Sequence, residues 1–266
     1  MEKSPITRPL PARFQRPSPV AFVLLLLAGA GLLAGISQVD VTADRALRGF
    51  SQFGNFMSQA IPPDFSRWRP ITIYMAQTVQ MGMVGVFFGV LLSLPVALLA
   101  SSNTSPHWSV RNLTRIGVAT ARTVPDLIWA LIFVICVGPG PLAGILAIVL
   151  DTVGFCGRFF SERIEESQKG PVEALTATGG RRLPVIFGSI IPECFPSFTA
   201  TSLYAVEKAI RSAVVLGLVG AGGIGVELKA TMDLWRYDQA MAIIIVILFV
   251  VISVEQVSSA IRRRFL

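Results

Sequence analysis

Apolar residues in this chain come in long uninterrupted runs, not in strand-like alternation. Uncharged stretches cover residues 17–39 and 71–100, and further apolar stretches fall near 115–137, 142–160, 189–211 and 238–259. A helix needs roughly 20 such residues to cross a bilayer. The pattern predicts an all-α polytopic membrane protein with about six transmembrane helices. The run 71–100 exceeds one crossing and predicts a tilted or protruding helix, bent at Pro95. Gly82, Gly85 and Gly89 fall on one face of it, where small residues let a neighbouring helix approach. Gly138-Pro139-Gly140-Pro141 cannot continue a helix, so the apolar stretch from Leu127 to Leu150 is expected as a helical hairpin.

Polar segments organise the rest. A cytoplasmic tail, 1–17, precedes the first span, 18–38. Residues 39–70 carry Phe50, Phe53 and Phe56 at helical spacing. This suits an extracytoplasmic amphipathic segment lying at the membrane interface, or a helix packed on the membrane domain. A permease core spans 71–260 and holds a polar loop, 161–188; a basic tail, 261–266, closes the chain. Lys and Arg cluster in the N-terminal tail, in loop 161–188 (Arg163, Lys169, Arg181, Arg182) and at Arg262–Arg264. The positive-inside rule then gives both termini and that loop to the cytoplasm, N-in/C-in.

Composition supports this picture. The chain has 266 residues, 53% hydrophobic and 15% charged, with net charge +7; soluble domains carry about 25% charged residues. The positive charge fits span flanks and anionic headgroups, so the lipid bilayer is the expected partner and nucleic acid is not. Cys136, Cys156 and Cys194 stand apart in apolar surroundings and predict buried thiols, with no disulfide or metal set. His107 is alone in a polar loop. No nucleophile–base pair is visible and no Gly-Lys-Ser/Thr occurs, so no catalytic residue is assigned and the chain is not expected to hydrolyse ATP or bind a cofactor.

The loop residues Glu173–Pro192 stand out as a possible docking element. Gly170-Pro171 predicts a helix break, with Pro171 and Glu173 in the first turn of a short, thin helix. Within the spans, Asp126, Asp151, Arg158, Glu207, Lys208 and Arg211 either pair or line a pathway. Glu207 and Arg211, four apart, can pair on one face. Gly220, Gly222, Gly223 and Gly225 formally include GxGxxG, but a dinucleotide site needs a βαβ unit that is missing. Two readings stay open for them: irregular backbone at membrane depth whose free N–H groups face an anion, or a tight turn before an interfacial helix.

Glu173, Ala174, Gly179 and Pro192 keep the spacing of the coupling loop of ABC-importer permeases, which runs Glu-Ala-Ala, three residues, Gly, nine residues, Ile-x-Leu-Pro. Leu175, Ser189 and Ile191 depart from it. Pro62–Trp68, Gly138–Ala147, Gly170–Gly179 and Arg211–Gly225 further resemble the phosphonate-import permeases. The resemblance implies a type I ABC-importer permease fold in a bacterial inner membrane. It implies a homodimer, two ATPase subunits carrying ATP and Mg, and an extracytoplasmic phosphonate-binding protein. Glu173, Ala174, Gly179, Arg181, Arg182 and Pro192 would couple to the ATPases. Asp151, Glu207, Lys208, Arg211 and the glycines 220, 222, 223 and 225 would line a pathway or gate. A permease for phosphate, phosphite or methionine, and a stand-alone secondary transporter, remain alternatives.

Overall fold

The computed structural model describes residues 18–38 and 43–265; the N-terminal tail and residues 39–42 lie outside the described residues. The described residues contain helices and no strand. The chain divides into two units, one up to Ser58 and one from Gln59 onward. The first holds the apolar α1 (Pro19–Gln38) and most of α2 (Ala43–Ala60). In α2 the side chains of Phe50 and Phe53 are exposed, as an amphipathic helix with one apolar face requires.

The second unit begins with α3 (Trp68–Ala100), which runs through Pro95 without ending. Its glycines set the packing. A Cβ at Gly82 would lie 2.8 Å from Ile210, at Gly85 2.5 Å from Ile148 and at Gly89 2.5 Å from Thr152. Bare backbone on α3 thus receives side chains from α6 (Pro141–Glu165) and α9 (Ile191–Gly217), which form the main core with it. Ser93 of α3 and Ser101, which caps its end, donate to the carbonyls of Gly89 and Ala97, and lie near those of Thr152 and Ser161 on α6.

The expected single span 115–137 is instead two helices, α4 (Trp108–Thr123) and α5 (Asp126–Val137), bent by 93°. Pro125 is the cause. It cannot donate a backbone hydrogen bond, and it forces the preceding Val124 into extended geometry (ψ 122°). His107, the loop histidine, caps α4 by accepting from the Ser109 amide at 3.2 Å. Cys136, expected buried, is exposed on α5, whereas Cys156 and Cys194 are buried.

After α6 come α7 (Lys169–Ala177), α8 (Arg182–Val185), a π-turn (Ile186–Ile190) and α9. Together α8, the π-turn and α9 make one helix, Arg182–Gly217. α10 (Ile224–Asp233) and α11 (Tyr237–Phe265) complete the chain. Arg262 and Arg263, expected in a tail, lie in the last turns of α11. Four of these helices are long and apolar enough to cross a membrane, or five if the bent α4–α5 pair is one span. α1, the first of the six expected spans, falls among the shorter apolar helices.

Candidate functional site

The loop expected to dock a partner is built from backbone chemistry. α7 starts at Lys169, two residues earlier than Gly170-Pro171 suggested. Glu173 therefore sits in the second turn and not in the first. Pro171 falls within the first turn, where its missing N–H breaks no intrahelical bond. The amide of Gln168, just before the helix, donates to Glu193 on α9 at 3.1 Å. Glu193 also lies 3.9 Å from Arg163 on α6. This tether was not visible in the sequence, because its partners are far apart along the chain.

At its other end α7 closes in a Schellman motif. The Gly180 amide donates to the Leu175 carbonyl at 3.1 Å, and the Gly179 amide to Thr176 at 3.0 Å. The geometry needs a left-handed residue, and Gly179 supplies φ +83°. Space does not demand glycine there, since a Cβ would have nothing within 4 Å. No residue of α7 is buried. Glu173, Ala174, Gly179, Arg181, Arg182 and Pro192 are all exposed. Leu175, Leu183 and Phe187 add exposed apolar area. Arg182 donates to the Ser105 carbonyl in the α3–α4 loop.

Pro192 explains the π-turn. It has no N–H for the Gly188 carbonyl, and its ring would clash there in a regular helix. The Ile191 amide reaches back five residues to Ile186 instead, which widens the turn. Ser189, inside it, is buried with no hydrogen-bond partner for its hydroxyl.

Asp151, Arg158, Glu207, Lys208 and Arg211 are paired. Lys208 of α9 meets both Asp151 carboxylate oxygens on α6 at 2.8 Å and lies 5.3 Å from the centre of the Phe155 ring. Glu207 is buried and takes Arg211 at 2.8 Å and Arg262 of α11 at 3.6 Å. Arg262 was not among the expected members, since only tertiary packing brings the end of α11 to α9.

The glycine segment is a tightly packed turn. The Gly140 amide of the Gly-Pro turn donates to the Gly220 carbonyl at 2.9 Å, and a Cβ at Gly222 would lie 2.9 Å from the Pro141 nitrogen. A Cβ at Gly225 would lie 2.1 Å from the Val214 carbonyl. The expectation of free N–H groups facing an anion fails for the amides of Gly220, Ala221, Gly223 and Ile224. They donate to Gly217, Leu216, the Gln77 side chain and the Thr78 hydroxyl respectively. Buried backbone donors need partners, and the polar pair on α3 meets that need.

Comparisons with known proteins bear on this architecture. Residues 85–265 match the family model described as binding-protein-dependent transport system inner membrane component. The phosphite transport system permease protein PtxC of Stutzerimonas stutzeri is 38% identical over 84% of this chain and 81% of its own length. The phosphate-import permease protein PhnE of Mycolicibacterium smegmatis is 35% identical over 81% of this chain, which spans 40% of it. An inward-facing MetNI methionine ABC transporter structure shares the fold with a TM-score of 0.65 at 19% identity, over 74% of this chain and 96% of that one. The chain belongs to the binding-protein-dependent transport system inner membrane components, with the type I permease fold of ABC importers.

Proposed function

We propose that the chain is the membrane subunit of an ATP-driven importer for a phosphorus oxyanion of the phosphite, phosphonate or phosphate class. It works as a homodimer. Two ATPase subunits seat on α7, and an extracytoplasmic binding protein delivers the anion. ATP-driven closure of the ATPases moves α7. The tie from Gln168 to Glu193 passes that motion to α9, and the pathway opens to alternate sides.

The observation that carries this reading is α7 itself. It is a short helix with no buried residue, fixed at its start by Glu193 and at its end by Gly179. A helix that buries none of its residues fully, with only Val172 resting on the core, yet is held at both ends, is positioned for a partner. The phosphite- and phosphate-import relatives supply the substrate class.

The test is reconstitution with the partner ATPase and binding protein in proteoliposomes. Uptake of phosphite, methylphosphonate, phosphate and methionine is then measured. ATP-dependent uptake of one of the phosphorus compounds is the expected result. Uptake of methionine alone, or uptake of any solute without the ATPase, would sink the proposal.

A further inference from the structure

The α9–α11 pair has two unlike sides. One borders a groove of about 750 Å³, shared with α3 and almost wholly apolar. Val206 and Ile210 of α9 and Val254 and Ile261 of α11 line it. Glu207, Arg211, Glu255 and Arg262 each stand one residue further on. At 3.6 residues per turn that step is a rotation of about 100°. The charges therefore share a side that the groove does not.

That charged side is deep. Ile210 packs on Gly82, which at about 1.5 Å per residue lies about 21 Å from the Trp68 end of α3 and about 27 Å from its Ala100 end. Ser258 of α11 donates to the Leu203 carbonyl of α9 at 3.2 Å, which places Glu255 close to the level of Val206. The side chain of Arg211 is 59% exposed. Glu255 is exposed too and makes no ion pair with any described residue. Two exposed charges at mid-span are strongly disfavoured against lipid. Water or protein must face this side, while the groove side is compatible with lipid.

The cations on α9 differ in what they have left to offer. Lys208 is engaged by both oxygens of Asp151. Arg211 spends one nitrogen on Glu207, which it shares with Arg262. A guanidinium has five N–H donors in a planar fork suited to tetrahedral oxyanions. Most of that fork on Arg211 is unused and outward.

We infer that Arg211 is the oxyanion contact at mid-pathway, held in place by Glu207, and that the charged side of α9 and α11 is the wall past which the anion moves. This rests on the phosphorus-oxyanion reading above. Lys208, two-thirds of its binding capacity directed to Asp151, has a structural role. Glu255 on the same wall repels the anion, which favours passage over retention.

The experiment is phosphite uptake by the reconstituted complex, with copurification of the ATPase as the assembly control. Arg211→Gln is expected to lower uptake about tenfold or more, mainly through KM. Arg211→Lys keeps the charge, loses the fork, and should fall between that variant and wild type. Wild-type rates in Arg211→Lys, or in an assembled Arg211→Gln, would overturn the inference. So would recovery of full uptake by the exchange Arg211→Glu with Glu255→Arg, which would assign the two residues to an ion pair between copies of the chain. Wild-type protein that takes up no phosphorus oxyanion would instead refute the proposed function.

Discussion

Gly179 offers the sharpest separation of backbone role from partner contact. Its φ of +83° is left-handed, and nothing in this chain lies within 4 Å of where its Cβ would be. Substitution therefore meets a backbone penalty without a clash. For alanine that penalty is about 1 kcal/mol, roughly a fivefold loss in the ratio of capped to frayed α7. Asparagine tolerates this conformation better and should cost only a few tenths. Tryptophan has the alanine penalty and adds bulk that only a seated ATPase would meet. Coupling is read as phosphite taken up per ATP hydrolysed in the reconstituted complex. The expected order is Gly179→Asn close to wild type, Gly179→Ala several-fold lower, and Gly179→Trp uncoupled though inserted in the membrane. Equal effects of Ala and Trp would limit Gly179 to a backbone role. A Trp variant that transports at the wild-type rate with its ATPase bound would refute α7 as the docking helix.

Other substitutions test the packing and the charges. Asp151→Asn leaves Lys208 without its counter-ion; given their partial exposure, a loss of about 1–2 kcal/mol is expected in detergent melts, and adding Lys208→Met should recover most of it. Gly225→Ala drives a Cβ to 2.1 Å from the Val214 carbonyl and should abolish folded protein in membrane extracts, whereas Gly117→Ala meets nothing and should hold or raise the melting temperature. Asp64, outside the spans, is held below its ordinary pKa of 3.8 chiefly by the Ser66 amide, then by the Ser66 hydroxyl and the Gln239 amide. With the folded value depressed, its contribution is complete above about pH 4 and is lost as pH falls through the lower folded value. Melting temperatures should thus show no Asp64-dependent change between pH 5 and 8, and Asp64→Asn should flatten only the decline below pH 4.

What the sequence revealed and what it hid divide by range along the chain. The long apolar runs located α3, α6, α9 and α11, because crossing a bilayer demands length that no local competitor supplies. Gly82, Gly85 and Gly89 announced a close approach, and the structure fills it with Ile210, Ile148 and Thr152. Pro125 should have announced the 93° bend between α4 and α5, since the residue before a proline is driven out of helical geometry. The span drawn from Arg115 to Val137 ran across that break, although α4 is far more polar than α5. The start of α7 was misplaced for the opposite reason. Gly170-Pro171 looks like a break, but a helix's first turn does not use the N–H that proline lacks.

The remaining features rest on pairings between distant residues, and these change what the charged residues mean. Glu207 and Arg211 alone read as a local pair of modest worth. Arg262 arriving from α11 makes Glu207 a shared anchor for two guanidiniums, so Arg211 is positioned without being consumed. Lys208, beside them in sequence, points to α6 and is occupied by Asp151. The glycine segment shifts the other way. The amides of Gly220, Ala221, Gly223 and Ile224, free on paper, are taken within the turn and by Gln77 and Thr78. Anion recognition at mid-span is therefore assigned to a side chain whose pairing leaves donors over, and the glycine turn holds α3, α9 and the Gly-Pro turn together. If that assignment is right, mutations in the two places must differ in kind. Those at Gly222 or Gly225 should remove folded protein, and those at Arg211 should leave an assembled complex that carries its anion poorly.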